Sequence, residues 1–279
     1  MVETVERPGP LVDTAVALPA GPLRAYVRRY CGYRMTGFAP GRHLGLPSRH
    51  LTVVITIDQP LRVAASVGGP THRLATVMSG LCTEPALILH DGSQVGVQLD
   101  LTPVGARAIL GLPAAELAGT VAPLDEALKA TAPELAERLV EADTWSARFA
   151  ILDEGLSRHL GALPEADVHL SEAWRRIVRS GGDVRVVDLA RDLGWSRRHL
   201  GEMFVREYGV RMKELARIVR FERSVQLLRA PTRRSVAAVA AAAGYYDQAH
   251  LAREWRELAG CSPTQWLVEE ELPSVQDGR

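Results

Sequence analysis

Two stretches in the C-terminal half of this 279-residue chain carry side chains that can recognise the edges of bases. The first stretch carries Arg198 and Glu202, and the second carries Gln248 and Arg253. A guanidinium group can form two hydrogen bonds with guanine, an amide can form two with adenine, and a carboxylate can accept one from cytosine. The residue types and their spacing therefore favour recognition of a nucleic acid.

The two stretches belong to an internal repeat with an offset of 51 residues. Ser196 and Asp247 are each placed to cap a helix, because their side-chain oxygens can accept hydrogen bonds from free backbone N–H groups. Each cap is followed, at the same distances, by two apolar residues on one helical face and by a glycine that suits a helix end. These pairs are Leu200 and Leu251, Phe204 and Trp255, and Gly209 and Gly260.

A second similarity lies just before each cap. Leu189-Ala190 is followed by Gly194, and Val239-Ala240 is followed by Gly244. The alanine allows two helices to cross closely, and the glycine allows the positive φ of a sharp turn. A short helix, a glycine turn and a capped second helix form a helix-turn-helix, which lays its second helix in the major groove of DNA. The repeat therefore predicts two helix-turn-helix units.

The region around the repeat is predicted to be helical throughout and carries an excess of positive charge. Seven helices with short connections are predicted from apolar periodicity and end signals, namely Trp174–Arg179, Val186–Leu193, Ser196–Tyr208, Met212–Leu228, Val236–Ala243, Asp247–Ala259 and Pro263–Glu270. Ser171–Val268 holds 18 Lys and Arg against 11 Asp and Glu, whereas the whole chain has a formal net charge of zero. This asymmetry indicates that the C-terminal part meets a polyanion.

The N-terminal half has the pattern of a strand-rich domain. Residues 1–20 are interpreted as a flexible leader, and Gly21–Tyr33 as a short amphipathic helix. Apolar runs rich in β-branched residues then predict a strand meander with hairpins, with strands at Leu51–Ile57, Leu61–Val67, Ala86–His90 and Val95–Leu101. Thr102 and Pro103 are predicted to cap and begin a helix. Further helical patterns cover Ala114–Leu117, Pro133–Glu141 and Thr144–Leu160.

These patterns predict an α+β chain of two domains, as its length also favours. A strand-rich mixed α/β domain over residues 21–163 is expected to bind an effector or to dimerise. An all-α seven-helix domain with two helix-turn-helix units is expected over residues 167–270. Gly161–Asp167 is the predicted linker, and residues 271–279 are predicted to form a flexible tail.

Residues 170–268 carry a series of motifs in a fixed order. In the first unit they are Leu189-Ala190, Gly194, Ser196-Arg197-Arg198-His199-Leu200, Phe204 and Gly209, followed by Arg220 and Leu227-Leu228. In the second unit they are Ala240, Gly244-Tyr245, Asp247-Gln248-Ala249-His250-Leu251, Trp255, Gly260 and Ser262-Pro263-Thr264-Gln265-Trp266. In this order they resemble the AraC/XylS family of transcription regulators. The resemblance implies a double helix-turn-helix domain and, more loosely over residues 20–160, a mixed α/β effector or dimerisation domain.

The resemblance also assigns roles to the second helix of each unit. It implies base contacts at Arg198, Gly201, Glu202, Gln248, Ala249, Ala252 and Arg253. Three of these residues lack a polar side chain, so direct readout is expected from the other four, while either alanine can touch a thymine methyl group. The predicted phosphate contacts, which fix the register on DNA without specifying sequence, are Ser196, Arg197 and Arg206.

Catalysis and metal binding find no support in the residue pattern. Cys31, Cys82 and Cys261 are too far apart for a zinc motif or a disulfide framework. The histidines of the N-terminal half, which are His43, His50, His72 and His90, lack the spacing of a metal site. A cysteine-dependent DNA-repair activity requires a basic group beside the thiol, whereas Cys82 is followed by Glu84. The sequence therefore predicts no catalytic residue, no cofactor and no metal.

Together these features predict a sequence-specific regulator of transcription that binds double-stranded DNA and is controlled by a small-molecule effector at its N-terminal domain. The alternative is a ligand-independent regulator that uses this domain only for dimerisation or protein contacts. RNA polymerase and a second copy of the chain are further candidate partners. Because no segment has the length and apolar character of a signal peptide or a membrane span, we expect a cytoplasmic protein without a membrane partner.

Overall fold

Two antiparallel β-sheets build the N-terminal half of the protein. The computed structural model describes residues 10–161, 167–232 and 234–269. The strands are β1 (Leu11–Ala17), β2 (Val27–Thr36), β3 (Gly41–Gly45), β4 (Leu51–Thr56), β5 (Leu61–Ala64), β6 (His72–Leu74), β7 (Thr76–Ser79), β8 (Ala86–His90), β9 (Gln94–Leu101) and β10 (Val121–Pro123). The six-stranded sheet has the order β1-β2-β9-β4-β7-β10, and the four-stranded sheet has the order β3-β8-β5-β6. Apolar side chains of both sheets, such as Val54 and Val63, pack in one cluster.

The chain passes back and forth between the two sheets rather than forming a run of consecutive hairpins. Asp91 and Gly92 connect β8 to β9, and these two strands belong to different sheets. Gly92 has a φ of 102°, which favours glycine. The turn was therefore predicted correctly, but the predicted meander is wrong, because turn residues do not reveal which strand a run of apolar residues pairs with.

Two predictions near the N-terminus are also wrong. Leu11–Ala17 is a strand and not part of a flexible leader, since all seven residues pair with β2. The predicted helix over Gly21–Tyr33 is a short 3₁₀ turn at Gly21–Leu23 followed by β2. Leu23, Val27 and Tyr30 are buried, and burial at this spacing fits a turn and a strand as well as an amphipathic helix. Residues 1–9 lie outside the described residues.

Short helices follow the sheets and cover part of the larger one. They are α1 (Pro103–Gly105), continued by a π-helical turn at Ala106–Leu110, a 3₁₀ turn at Ala114–Leu117, α2 (Asp125–Leu128), α3 (Thr131–Glu141) and α4 (Trp145–Ser157). The predicted capping role of Thr102 is confirmed, because its hydroxyl accepts a hydrogen bond of 3.0 Å from the Gly105 N–H. The fold is thus the predicted α+β type.

The C-terminal half contains the seven predicted helices. They are α5 (Val168–Arg179), α6 (Val186–Asp192), α7 (Arg197–Tyr208), α8 (Met212–Arg229), α9 (Val236–Ala243), α10 (Gln248–Ala259) and α11 (Pro263–Glu269). Within the described ranges, no helix combines the length and apolar character needed to cross a membrane. Residues 162–166 of the predicted linker lie outside the described residues, as do Glu270 and the predicted tail. The exact domain boundaries therefore stay predictions.

The two halves share buried surface. One apolar cluster runs from the larger sheet through α3 and α4 into the first helix-turn-helix, where it includes Leu200 and Phe204. A second cluster surrounds Trp255 and takes in Leu46 from the N-terminal half. Gly209, which ends α7 at a φ of 75°, lies so close to Ala115 and Ala118 that a β-carbon would overlap them. The first helix-turn-helix therefore packs directly against the N-terminal half.

Candidate nucleic-acid interface and ligand cavity

The recognition helix of the first unit, α7, is oriented by its cap and its buried face. The Ser196 hydroxyl accepts a hydrogen bond of 3.1 Å from the His199 N–H, so the predicted cap is confirmed. Leu200 and Phe204 are completely buried. Gly194, in the turn before the cap, has a φ of 72°, as the turn requires. The opposite face of α7 is therefore directed to solvent.

The predicted DNA-contacting residues of α7 lie on this exposed face. Arg197, Arg198, Glu202 and Arg206 are exposed, while Gly201 is partly exposed. Arg198 donates to Glu202 over 2.8 Å, and the two side chains are 89% and 61% exposed. The pair is thus held in solvent one turn apart. Neither Arg197 nor Arg206 forms an ion pair with any residue in the part of the chain that the structure describes.

The recognition helix of the second unit, α10, has the same construction. The Asp247 carboxylate accepts a hydrogen bond of 2.6 Å from the His250 N–H, and Leu251 and Trp255 are completely buried. The predicted DNA-contacting residues lie on the other side, where Gln248, Ala249 and Arg253 are exposed and Ala252 is partly exposed. Among the described ranges, Arg253 has no ion-pair partner. Its guanidinium group is free to meet an acceptor from outside the protein.

A basic groove beside α7 includes residues that the sequence analysis missed. Arg185 precedes α6, and Arg211 and Lys213 lie at the start of α8; all three are exposed. They line one groove with Arg197 and Arg206. The sequence places each of these cations at the N-terminal end of a helix, but their proximity to α7 is visible only in the structure.

An ionic cluster fixes α10 against the long helix α8. Glu254, which is buried, accepts from Arg217 and Arg220 of α8, both over 3.1 Å. Arg220 also donates to the Gly182 carbonyl over 3.3 Å and lies over the Tyr245 ring. A buried carboxylate with two cationic partners holds its helix in a defined position. Arg220 belongs to the motifs shared with the AraC/XylS regulators but had no predicted role, and Glu254 was not predicted to be a site residue.

A cavity lies between the two sheets of the N-terminal half. It has a volume of about 90 Å³, and none of its lining residues is Asp, Glu, Lys or Arg. Burial lowers the pKa of His43 and the pKa of His50 to about 4, so both imidazoles are neutral at pH 7. Burial also raises the pKa of the Cys82 thiol to about 11. The cavity is therefore an uncharged space with several hydrogen-bonding groups.

The cavity adjoins a cleft of about 310 Å³ that reaches α8, the helix joining the two helix-turn-helix units. Ser48 and His50 line both spaces. The cleft also includes Arg28, which is exposed and has no ion-pair partner among the residues described. Within the described chain, no group of three or more His, Cys, Asp or Glu side chains is arranged to hold a metal ion.

Polar contacts at the cleft connect the N-terminal half to α8. Glu222 of α8 accepts a hydrogen bond of 2.9 Å from the Ser48 hydroxyl and one of 3.0 Å from the Arg49 N–H. The Arg49 guanidinium group lies 3.4 Å from the same carboxylate. Burial raises the pKa of Glu222, and the positive charge of Arg49 opposes this shift. The carboxylate is thus held by the segment that also lines the cavity.

A second ion pair connects the N-terminal half to α7. Arg107 donates two hydrogen bonds of 2.6 Å to the two oxygens of Glu207. Glu207 is buried near the C-terminal end of α7, on the side away from the predicted DNA face. A bidentate pair of this kind fixes orientation as well as distance.

Comparison with known proteins agrees with this description. A family model described as a helix-turn-helix domain matches residues 189–268. An apo variant of ToxT from Vibrio cholerae superimposes with a TM-score of 0.53 at 12% identity, over 94% of this chain and 97% of that chain. ToxT bound to an unsaturated fatty acid gives 0.51 at 12% identity, over 92% and 94%. A search of curated proteins returns no match.

The helix-turn-helix match and the two exposed recognition helices define a DNA-binding transcription regulator. At 12% identity, the likeness to ToxT concerns the fold, and it extends over both halves of the chain. The matched helix-turn-helix domain, residues 189–268, lies within residues 170–268, where the sequence resembles the AraC/XylS regulators, so that resemblance is confirmed for the C-terminal domain.

Proposed function

We propose that the protein reads a specific DNA sequence with α7 and α10 together. The observation that carries this proposal is that both helices present unpaired arginines on a face opposite to a completely buried one. The long helix α8 joins the two units, and the Glu254 cluster holds α10 against it. Such a connection suits two recognition helices that enter successive major grooves, about 34 Å apart.

Within this proposal each residue is assigned to a base or to a phosphate. The proposed base contacts are Arg198, Glu202, Gln248, Ala249, Ala252 and Arg253. Ser196, Arg197 and Arg206 are proposed to contact phosphates. The groove residues Arg185, Arg211 and Lys213 are positioned to extend the phosphate contacts along one strand, because they border the same face of α7. Phosphate contacts supply affinity and register, whereas base contacts supply specificity.

Selection of binding sites from random DNA with the full-length protein tests this proposal. We expect one enriched sequence, with an affinity that falls as salt rises because bound arginines release condensed counterions. Arg197→Ala should reduce the slope of log affinity against log salt by about one. Arg73→Ala, an exposed arginine of β6, is the matched control and should leave the slope unchanged. Failure of the full-length protein to enrich any sequence would contradict the proposal.

We propose further that a small molecule occupies the cavity and the adjoining cleft and thereby controls DNA binding. The cavity accepts a small uncharged apolar group, and the cleft offers the free guanidinium group of Arg28 to an anion. A molecule with an apolar body and an acidic group matches both spaces. The ToxT structure with an unsaturated fatty acid is a precedent for such a ligand on this fold. The Ser48–Arg49 segment connects this site to α8 through its hydrogen bonds with Glu222, so a ligand that moves the segment would also affect α8.

Thermal unfolding of the full-length protein with matched probes tests the effector site. Hexanoate should stabilise the protein, with a gain of about 2.7 kcal/mol when its concentration is one hundred times its dissociation constant. The uncharged hexanamide should stabilise it less, and Arg28→Ala should remove the difference between the two probes. Arg73→Ala again serves as the control. Absence of stabilisation by either probe would favour a ligand-independent regulator that uses its N-terminal half for dimerisation or for contact with RNA polymerase.

A further inference from the structure

The turn of the second helix-turn-helix is one residue longer than the turn of the first. Trp195 and Tyr245 are equivalent, because each follows the turn glycine and donates its backbone N–H to the carbonyl of Ala190 or Ala240, over 3.0 and 2.9 Å. The cap Ser196 follows Trp195 directly. In the second unit Tyr246 stands between Tyr245 and the cap. The inserted residue is therefore Tyr246.

Tyr246 has no role in the packing of its own domain. Its side chain is 93% exposed, whereas Tyr245 is only 4% exposed and fills the position that Trp195 fills in the first unit. The Tyr246 backbone N–H donates to His250 Nδ1 over 3.4 Å. Its hydroxyl forms no hydrogen bond, and its ring no aromatic or cation–π pair, with any residue in the described segments. An exposed apolar residue alone is common on protein surfaces, so the position of Tyr246 is what matters.

Tyr246 lies at the N-terminal end of the recognition helix α10. Tyr246 directly precedes the cap of α10, and the N-terminal residues of a recognition helix are those that enter the major groove. A residue just before the cap lies at the rim of the groove, beside the sugar–phosphate chain. A phenol suits this place, because its hydroxyl can donate to a phosphate oxygen and its ring can cover a deoxyribose.

Resting on the DNA-binding function proposed above, we infer that Tyr246 contacts the sugar–phosphate backbone at the edge of the groove occupied by α10. The contact has no counterpart in the first unit, since the shorter turn has no equivalent residue. It adds affinity at the second half of the site without adding charge. Because phosphates carry no sequence information, the contact affects all sequences alike.

The salt dependence of binding distinguishes this contact from that of an arginine. Tyr246→Ala in the full-length protein should weaken binding to the selected site by about tenfold, and Tyr246→Phe, which loses only the hydroxyl, by about threefold. Neither change should alter the slope of log affinity against log salt, because a neutral side chain displaces no counterion. The selected sequence and the melting temperature should also stay unchanged. Val140→Ala, which alters an exposed apolar residue of α3, is the control.

Each of the following results would overturn the inference. Wild-type affinity of Tyr246→Ala would show that Tyr246 does not contact DNA. A loss of transcription at unchanged DNA affinity would show that the ring contacts a protein partner instead. A lower melting temperature of Tyr246→Ala would make the residue structural. A changed base preference would make it a base contact. If the wild-type protein itself bound no DNA, the proposed function would fail together with the inference, whereas an unaffected Tyr246→Ala variant would leave the proposed function intact.

Discussion

Trp255→Ala is expected to destabilise the second helix-turn-helix unit by about 3–5 kcal/mol, the usual cost of emptying a large aromatic site in a core. The indole is completely buried and packs against Phe221 and Trp266, with ring centroids 4.8 and 5.2 Å away. Its N–H donates to the buried Ser224 hydroxyl over 2.9 Å. Alanine would therefore remove apolar contacts and leave the hydroxyl without its donor. Urea unfolding followed by circular dichroism measures the effect.

Two variants separate the contributions at this site. Trp255→Phe keeps most of the apolar volume and loses the hydrogen bond, so its cost should lie well below that of alanine. Leu267→Ala, at a half-exposed position of α11, should change stability by no more than about 0.5 kcal/mol. Wild-type stability of Trp255→Ala would show that the buried face of α10 is assigned wrongly.

Arg253→Ala is expected to weaken specific DNA binding by about 1–3 kcal/mol and to relax one guanine preference. Arg253 is exposed and has no ion-pair partner within the described chain, so its full donor set is available to a base. Arg253→Lys is the matched control, because an ammonium group keeps the attraction to phosphate and loses the bidentate geometry that guanine requires. The measurement is a site-selection profile together with binding constants at one fixed salt concentration.

Glu202→Ala is the counterpart of this experiment in α7. Phosphates repel a carboxylate, and Glu202 is instead paired with Arg198 over 2.8 Å. Removal of Glu202 should leave affinity level or slightly higher, and it should broaden the accepted sequences because Arg198 loses its orienting partner. Uniform loss of affinity in Glu202→Ala, with no change in Arg253→Ala, would mean that the proposed DNA faces of α7 and α10 are wrong.

The helical half was predictable because its signals are local. A cap such as Ser196 and a glycine such as Gly209 act on the backbone within one or two turns, and apolar periodicity reports a single helical face. The N-terminal half depends on pairings between distant residues. Leu11–Ala17 forms a strand because it pairs with β2, and no residue near it in the sequence indicates this pairing.

The same distinction separates the parts of the candidate site. Exposure of Arg198 and Arg253 follows from helix phase, which the repeat defines. The groove formed by Arg185, Arg211 and Lys213 joins the N-terminal ends of α6 and α8, which only the folded chain brings together. The contacts of Glu222 with Ser48 and Arg49 span more than 170 residues, so no sequence pattern could indicate them.

The two ion pairs between the halves limit how freely such proteins can be recombined. Arg107 holds Glu207 of the first helix-turn-helix, and Arg49 holds Glu222 of the joining helix. Both carboxylates are contributed by the DNA-binding half, and both partners by the N-terminal half. A chimera that grafts this DNA-binding half onto an unrelated sensor would lose both arginines and the docking surface under Gly209. A new sensor that covers either carboxylate again would have to supply a cation there, because a buried carboxylate without a partner is costly.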